Sequence, residues 1–517
     1  LRPNGLLAGL LIGLLGVGSL MLPQTQRLEH DFGLNWLFTW RGERPASPHV
    51  LVAAMDRESS DALGYRNIPR KWERKTHAEL VSSLTSKQTA AIGFDVLFAE
   101  ARDPAQDQQL ADAIRQSGNT VLFENLFTTN HQGYRTERTE PPIDIFKQAA
   151  ADVAPFALPK VPAKVHQAWL FKSGAGEQPT MPMVMLHVYM RPRLPEFLDL
   201  LRAALNDISQ TKPAWLNIDE ISSQPSQQAS LLRSLFFTHP KLENTAIQHT
   251  ESITDPDVRQ DLLTWIYALT RGDSIILNLY GPARSIKTEP IHQLLQPHTP
   301  EVTGKAVFVG FSEILQPEQK DGFYTSFTGE DGVDISGVEL MATTFSNLLQ
   351  REAIEPVPGW LRIAMVFGAG LILTLVFFAT GAVGTLIAAV LLGTGWVALA
   401  LWLFSNLQLW IPLTSVLLIQ LPVALLLSLL WHYHRTRRSK TKLRHKLSRF
   451  VPDELIDHLD QSDDKIKGKT IPAVCMITDM ESYTPLGEQH SAEQLGELLS
   501  EYFRELQPAI TQHGGHV

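Results

Sequence analysis

The sequence predicts a multi-pass membrane protein with an α/β domain outside the cytoplasm, four transmembrane helices and a smaller α/β unit at the C-terminal end. Three observations predict this fold class. Charge-free apolar stretches lie at 5–22 and within 363–431, and short apolar strands alternate with helical segments in the long region between them. A strand–turn–helix pattern follows a dense group of basic residues near the end of the chain. One span therefore precedes the α/β domain and three follow it.

The bulk composition limits the class of protein further. With 517 residues the chain is too long for one ordinary domain. A formal net charge of -9 argues against nucleic acid as a partner, because nucleic-acid binding needs a basic field. The single cysteine, Cys475, excludes an intrachain disulfide. We therefore expect the domain outside the cytoplasm to be stabilised by its hydrophobic core alone.

The first apolar stretch, at 5–22, has about the minimum length for a helix that crosses a hydrocarbon core roughly 30 Å thick. A cleaved signal peptide is the alternative. The residues after Leu22 show no small-x-small cleavage pattern. We therefore expect a transmembrane helix that is retained.

Residues 24–355 show the alternation of strand and helix that is typical of a parallel sheet buried on both faces. A helical spacing of apolar residues occurs at 77–84. Short apolar runs predict strands at 49–56, from 91 onward, at 119–126, at 273–281 and at 305–313.

No charged residue occurs between Arg362 and His432, a length that accommodates three spans. The breaks between them predict helices at 363–380, 383–403 and 410–431. A buried helical hairpin is the alternative interpretation, but a helix that faces water needs charges on one side. The absence of charge in these spans also argues against a transport protein with an ion or substrate path.

A basic segment follows the last span and begins the region 432–468. Its cationic residues are Arg435, Arg437, Arg438, Lys440, Lys442, Arg444 and Lys446. By the positive-inside rule this side is cytoplasmic, so 24–355 lies outside. We expect the basic side chains to set topology and to contact the lipid bilayer of the cell (inner) membrane.

Three aspartates of the outer domain, Asp56, Asp95 and Asp321, are predicted at strand ends or in loops. Ligands of α/β sheets bind beyond the carboxyl ends of the strands, so these residues are candidates for contact with a ligand. Aspartates in such places also cap helices and turns. The sequence leaves both roles open.

The C-terminal unit, 470–517, begins with an apolar run predicted as a strand that ends at Asp479. Ser491 and Gln494 form a capping-box pattern before an amphipathic helix, which ends at a Gly-Gly turn. A carboxylate at a strand tip followed by backbone amides suits a nucleotide phosphate bound with a divalent ion.

The outer domain resembles the second class of CHASE domains, which are bacterial extracellular sensors. The resemblance rests on "IPRKWERKTHAELVSSLTSKQTAAIGFDVLF" and on the closing segment that starts with "KAVFVGFSE". Residues of about 130–270 match poorly, and we expect an insertion there. One anchor, a sensor and three spans is also an order typical of this family. The resemblance implies an extracytoplasmic sensor with an unknown ligand.

The C-terminal unit resembles the class III adenylate/guanylate cyclases. The signature "TDMESYT" and the preceding helix entry "RFVPDEL" carry this resemblance. It implies a partial α+β, ferredoxin-like domain in which Asp479 and the Met480 carbonyl bind metal, while Tyr483 and Thr484 bind phosphates. Ser482 stands where many members have glycine. Two Mg²⁺ or Mn²⁺ ions per active site and a homodimer are also implied.

The resulting expectation is a membrane-bound receptor adenylate cyclase that makes cyclic AMP from ATP in response to an extracytoplasmic signal. A guanylate cyclase and a non-catalytic receptor with a degenerate cyclase domain are the alternatives. We expect the chain to be a fragment at both ends, with the second metal-binding aspartate and the catalytic residues beyond Val517. The chain by itself is then expected to be inactive.

Overall fold

The computed structural model describes residues 3–131, 134–159, 164–217, 220–296, 301–329, 332–447, 472, 474–515 and 517. The described chain divides into two compact units, Leu1–Leu425 and Leu426–Val517. The predicted cytoplasmic entry helix, including "RFVPDEL", lies outside the described residues.

The helices are, in chain order, α1 Pro3–Leu20, α2 Pro23–Leu28, α3 Leu34–Arg41, α4 Arg57–Leu63, α5 Arg74–Ser86, α6 Pro104–Ser117, α7 Asp144–Ala149, α8 Met181–Tyr189, α9 Leu194–Asp207, α10 Pro225–Thr238, α11 Leu242–Thr250, α12 Pro256–Thr270, α13 Ile291–Leu294, α14 Gly337–Leu349, α15 Gly359–Ala379, α16 Ala382–Leu407 and α17 Leu421–Leu447. Short π-helices occupy Glu29–Gly33 and Ser415–Gln420. Short 3-10 turns occupy Pro69–Lys71, Ser173–Ala175, Arg191–Arg193 and Ala214–Leu216. The C-terminal unit adds the helices Tyr483–Gln489 and Ala492–Thr511.

The strands are β1 Val50–Met55, β2 Ala91–Phe94, β3 Thr120–His131, β4 Tyr134–Glu140, β5 Asp152–Pro155, β6 Gln167–Trp169, β7 Phe171–Lys172, β8 Gln178–Pro179, β9 Ser274–Ile276, β10 Thr288–Pro290, β11 Ala306–Phe311, β12 Gly322–Phe323, β13 Ile335–Ser336, β14 Glu355–Pro356 and β15 Leu409–Trp410. In the part of the chain that the structure describes, the main sheet has the order β10–β1–β11–β2–β3–β4, with β5 also paired to β3. Its pairings are parallel except for that of β4 with β3.

The main sheet is buried on both faces, as the sequence predicts. In β1, Val50 and Val52 point into a core formed with α8 and α14. The alternate residues Leu51 and Ala53 point into a second core, formed with α5 and α6. Because side chains of a strand alternate between faces, an all-apolar strand is stable only when helices cover both sides.

Residues 164–270 lie mainly in helices on one side of this sheet. Helices α8, α9, α10 and α12 all contribute buried side chains to the core that contains Val50. Much of the region at about 130–270 that matched the family pattern poorly is thus an integral part of the domain's core.

The predicted strand at 273–281 is only partly formed and lies outside the main sheet. Its observed part, β9, pairs antiparallel with β6. The pairing continues for one residue, since Leu277 N–H donates to the His166 carbonyl at 2.7 Å, but the next amide, Asn278 N–H, donates to the Asn347 side chain at 2.7 Å. The bond from Asn278 to the Asn347 side chain replaces the next step of the ladder, and the strand ends there.

Among the described residues, three helices are long and apolar enough to cross a membrane, namely Gly359–Ala379, Ala382–Leu407 and Ser415–Ser439. The number is four if Gly5–Leu20 and Pro23–Arg41, a pair of helices bent by 76°, count as one span. The first two of the three helices correspond to the spans predicted at 363–380 and 383–403, and the span predicted at 5–22 corresponds to the first helix of the bent pair.

The last span begins later than the predicted start at 410. Leu409–Trp410 is instead strand β15, which pairs in parallel with β14 next to the sensor-side end of α15. Pro412 lies between this strand and the helix, and a residue before proline avoids helical backbone angles. The helix therefore starts at Ser415.

Glycines bring α1 close to α15. A Cβ atom on Gly370 would lie 3.0 Å from the Gly13 backbone, and one on Gly13 would lie 2.7 Å from the Phe367 ring. Small residues let the backbones of membrane helices approach closely, which favours packing by van der Waals contact. Gly5, Gly9, Gly13 and Gly16 of the first apolar stretch therefore form a packing surface for α15.

Candidate functional sites

The first candidate site is the carboxyl edge of the main sheet, by which we mean the ends of β1, β2 and β11 together with the start of α14. Asp56 follows β1, Asp95 follows β2, and Ser312 follows β11. Since β11 lies between β1 and β2, parallel pairing brings these three positions to one end of the sheet. This is the end at which α/β sheets bind ligands.

Asp56 has two partners at this edge. It is 1% exposed, and its Oδ1 accepts the Ser59 N–H at 2.8 Å as the N-cap of α4. Its Oδ2 accepts from the Arg284 guanidinium at 3.0 Å. The capping alternative from the sequence is therefore observed, and the buried charge is balanced by an arginine.

Arg284 connects Asp56 to the start of α14. Its guanidinium also donates to the Ser312 carbonyl at 2.8 Å, and its backbone N–H donates to the Glu339 carboxylate. The Glu339 Oε1 accepts from Ser312 and Ser336 hydroxyls at 2.8 Å each. Arg284 adopts φ 64°, a region that is strained for a residue with a Cβ. The surrounding hydrogen bonds hold this conformation in place.

Asp95 and Asp321 form a second acidic group at the same edge. Burial, together with the nearby Asp321 charge, raises the pKa of Asp95 to about 7. Burial also raises the pKa of Asp321, which the Gly337 N–H and the Arg70 charge partly oppose. The Asp321 carboxylate lies against Gly337, where an added Cβ would be 2.7 Å from Oδ2. A proton shared by this pair would lessen the repulsion between them.

The outer rim of the edge is also hydrogen-bonded. The Glu313 carboxylate accepts from the Asn67 amide at 2.5 Å and from the Arg57 N–H at 3.3 Å. Arg57 further pairs with Glu318. Within the described ranges, no group of three or more His, Cys, Asp or Glu side chains is arranged to hold a metal. The edge is thus a charged hydrogen-bond network, and ligand contact by the three aspartates stays a prediction.

The second candidate site is the turn around Asp479. The predicted strand before it is not formed: residues 474–480 have no regular secondary structure, and Val474 and Ile477 are 96% and 89% exposed. A strand needs a partner to complete its hydrogen bonds, and no described strand pairs with this run. Apolar alternation alone was therefore insufficient to form it.

The turn after Asp479 leads directly into a short helix whose N-cap residue, Ser482, makes no side-chain capping bond. Asp479 is exposed and its Oδ1 accepts the Met480 N–H at 2.9 Å. Ser482 adopts φ 61° and ψ 29°, the left-handed region that glycine adopts most readily. Helix Tyr483–Gln489 begins at the next residue. The turn with serine in place of glycine is thus still formed.

The capping box predicted at Ser491 is confirmed. The Ser491 hydroxyl accepts the Gln494 N–H at 3.3 Å, and the Gln494 side chain accepts the Ser491 N–H at 3.0 Å. Helix Ala492–Thr511 follows, and Gly514 at φ 77° comes after its end. The two sequence patterns of this unit that involve only neighbouring residues, the capping box and the glycine after the helix, are therefore present in the structure.

The residues of the turn fit a divalent metal in part. The Asp479 carboxylate and the Met480 carbonyl are the hard oxygen donors that Mg²⁺ prefers. One Asp479 oxygen already accepts a backbone N–H, so the other is free for a cation. A bound metal would supply positive charge against nucleotide phosphates.

Sequence reasoning missed two residues that the structure brings into important contacts. Arg284 stands in a loop and pairs with Asp56 across 228 residues, so no local pattern could reveal it. Glu29 is 7% exposed, and its carboxylate accepts the Leu413 and Thr414 N–H groups, each at 2.8 Å. The signal for Glu29 was present, since it is an acidic residue shortly after the first apolar stretch.

A comparison with protein-family models matches the CHASE2 domain over residues 7–383. The match covers most of the chain, so the protein belongs to the CHASE2 domain family. It has a sensor domain and apolar helices, which indicate a membrane protein with a role in signalling. The match is wider than the predicted sensor bounds of 24–355, since it includes most of α1 and all of α15. Neither the curated proteins nor the solved structures yielded a match.

Proposed function

We propose that the protein is a transmembrane receptor whose extracytoplasmic CHASE2 domain controls a nucleotidyl cyclase on the cytoplasmic side. The family match and the apolar helices support the receptor part of this proposal. The basic residues after the last span support the cytoplasmic placement of the C-terminal unit. Helix α17, Leu421–Leu447, includes both the C-terminal part of the last span and the start of that basic segment.

The observation that carries the cyclase part is the turn from Asp479 to Thr484. It presents an exposed carboxylate, a left-handed Ser482 and then the first N–H groups of a helix. The backbone amides of Tyr483 and Thr484 are free of intrahelical partners because they begin the helix, so they suit anionic phosphate oxygens. This order of groups is the one that the resemblance to class III cyclases implies.

The proposed reaction converts ATP to 3′,5′-cyclic AMP and pyrophosphate. The ribose 3′-oxygen bonds to the α-phosphorus, the bond to the β-phosphate oxygen breaks, and the hydroxyl proton is released. This chain's share is to hold the triphosphate at Tyr483 and Thr484 and the cation at Asp479. A homodimer and the choice of ATP over GTP follow from the resemblance alone.

A non-catalytic receptor is the second candidate. The observation that favours it is the exposed, unpaired run 474–480, which leaves Asp479 without the rigid strand that would position it. In that case the C-terminal unit would only report the state of the spans to a partner.

The deciding experiment measures cyclic AMP and cyclic GMP formation by the product of the whole gene in lipid nanodiscs with Mn²⁺ or Mg²⁺. We expect Asp479→Asn to lower the rate with ATP by about a hundredfold or more, because one charge that stabilises the transition state is lost. Asp103→Asn, an exposed cap in the sensor, is the matched control. Equal rates for wild type and Asp479→Asn would reject the assigned role, and an inactive wild type would favour the second candidate.

A further inference from the structure

A cavity of about 320 Å³ lies where the N-terminal segment, the sensor and the outer ends of the spans meet. We call it the joint cavity. The N-terminal segment contributes Glu29 and His30, the sensor contributes Ile276, strand β15 contributes Trp410, and the start of α15 contributes Arg362. Its volume is in the range of small-molecule pockets, about 300 to 1,000 Å³. No part of the proposed cyclase chemistry uses it.

The acidic group of the joint cavity is already occupied. Both carboxylate oxygens of Glu29 accept hydrogen bonds at the start of the last span, from Leu413 N–H and from Thr414 N–H and hydroxyl. These bonds satisfy Glu29 without a ligand. A cationic ligand would have to compete with them.

The basic group of the joint cavity is available. Arg362 lies exposed in the first turn of α15, and in the part of the chain that the structure describes no carboxylate pairs with its guanidinium. A cation at a helix N-terminus is repelled by the helix dipole, so a neighbouring anion would be stabilising there. His30, whose ring stands edge-on to Trp410 at 4.9 Å, adds a second nitrogen-bearing side chain.

The remaining walls combine apolar side chains with the polar side chains of Thr25, Gln26, Gln167 and Ser415. Leu20, Pro356 and Trp410 line the joint cavity together with other apolar side chains. Such walls suit a hydrocarbon chain or ring, while Arg362 suits a carboxylate or phosphate. The cavity is therefore complementary to an anion with an apolar body.

We propose that the joint cavity binds an amphiphilic anion, with its charged group at Arg362 and its apolar part against Leu20 and Trp410. The anion is either the headgroup of an anionic membrane lipid or a free carboxylate from outside the cell. Because three parts of the chain line this cavity, its occupancy changes how the N-terminal segment and the spans pack on the sensor.

The test is protection of a cysteine in the cavity wall from maleimide labelling. Cys475 is the one cysteine in the sequence, so Cys475→Ser provides a cysteine-free background. Gln26→Cys places a thiol at the cavity, and Gln108→Cys places one on the exposed face of α6 as a matched control. The chain is studied in nanodiscs of phosphatidylcholine, with and without octanoate, and in nanodiscs that also contain phosphatidylglycerol.

We expect one of the two anions to slow labelling at Gln26→Cys and to leave Gln108→Cys unchanged. Protection by octanoate in phosphatidylcholine identifies a free anion, and protection by phosphatidylglycerol alone identifies a lipid headgroup. Arg362→Gln should raise the half-protecting concentration at least about tenfold, since a charge-assisted hydrogen bond is lost. Arg362→Lys should retain most of the protection, and Arg115→Gln on α6 should retain all of it.

Equal labelling of Gln26→Cys under all three conditions overturns the proposal. Protection that is unchanged in Arg362→Gln overturns the assignment of the charged group. If Arg362→Gln does not fold, labelling of Gln26→Cys with native Arg362 under the three conditions still shows whether an anion binds in the joint cavity. The labelling test does not measure cyclase activity. A failure of this proposal can therefore be distinguished from a failure of the proposed cyclase function.

Discussion

At the scale of single residues, the carboxyl edge of the sheet shows how one side chain can serve two structural roles. Asp56 caps α4 through one oxygen and balances Arg284 through the other. Asp103 also caps a helix, α6, by accepting the Gln106 N–H at 2.9 Å, but it is exposed. The two caps differ in burial and in the presence of a charged partner.

This difference predicts unequal costs of substitution. Asp103→Ala should lower the free energy of unfolding by about 1 kcal/mol, the value of a cap alone. Asp56→Ala should lower it by about 3 kcal/mol or more, because Arg284 is left partly buried without its carboxylate. Thermal unfolding of the two variants in the same nanodiscs checks this order. Similar losses in both would show that the Arg284 pair adds little.

Asp95 predicts a pH dependence with a definite sign. Its pKa is raised from 3.8 to about 7 on folding, so the folded protein binds the proton more tightly than the unfolded chain. The associated stability is complete below about pH 4 and is lost as the pH rises toward 7. Asp95→Asn mimics the protonated side chain and should be more stable than wild type by up to about 4 kcal/mol above pH 7.

The measurement is the difference in unfolding temperature between Asp95→Asn and wild type from pH 5 to pH 8. We expect this difference to grow with pH and to level off above 7. Asp112→Asn, at an exposed position of α6, is the control and should show no such trend. A difference that does not change with pH would mean that Asp95 is ionised throughout.

At the scale of elements, the contact between α1 and α15 depends on the absence of side chains. An added Cβ on Gly370 would lie 2.6 Å from Gln420 Nε2 and 3.0 Å from the Gly13 backbone, whereas one on Gly368, on the same helix, would meet no atom within 4 Å. Gly370 therefore offers a test substitution, and Gly368, two positions away on the same helix, offers its control. Gln420 joins the same contact, as its amide donates to the Ile12 and Val366 carbonyls at 3.2 and 2.9 Å.

We expect Gly370→Val to separate α1 from α15 and to lower stability by about 1 to 3 kcal/mol, the usual cost of overpacking. Gly368→Val should change stability by much less. Unfolding temperatures measured in nanodiscs distinguish the two. Equal effects of both substitutions would indicate that valine acts through helix propensity and not through the contact.

At the scale of the whole molecule, the chain links a sensor to membrane helices within one compact unit, Leu1–Leu425. Glu29 contributes to that link, because its carboxylate binds the backbone where the last span begins. Strand β15, in the loop before that span, also pairs with β14 at the end of the sensor. In addition to the covalent connections of the chain, the start of the last span is thus held at two places, by Glu29 and by the pairing of β15 with β14.

The proposed topology places Cys475 in the cytoplasm. Cys475 is exposed, so its labelling reports access from each side of the membrane. A membrane-impermeant maleimide should leave Cys475 unmodified in intact spheroplasts and modify it in inverted vesicles. In the Cys475→Ser background, Gln108→Cys should show the opposite pattern. Modification of Cys475 from outside would contradict the positive-inside assignment.

The sequence by itself determined the features that depend on neighbours along the chain. Charge-free runs long enough to cross a bilayer predicted the spans. Unpaired charges are costly anywhere along a helix that lies in the hydrocarbon core, so such a helix is apolar over its whole length. Short apolar runs predicted β1 and β11, and the Ser491–Gln494 spacing predicted a capping box that the structure contains. Each of these signals is complete within a few turns or one strand.

The tertiary structure alone decided the features that join distant residues. It placed β9 outside the main sheet, left 474–480 without a strand partner, and brought Arg284 to Asp56 and Glu29 to the start of the last span. A strand or an ion pair is stable only when a partner elsewhere in the chain completes its hydrogen bonds. The identity of that partner depends on the packing of the whole domain, which no local pattern of residues contains.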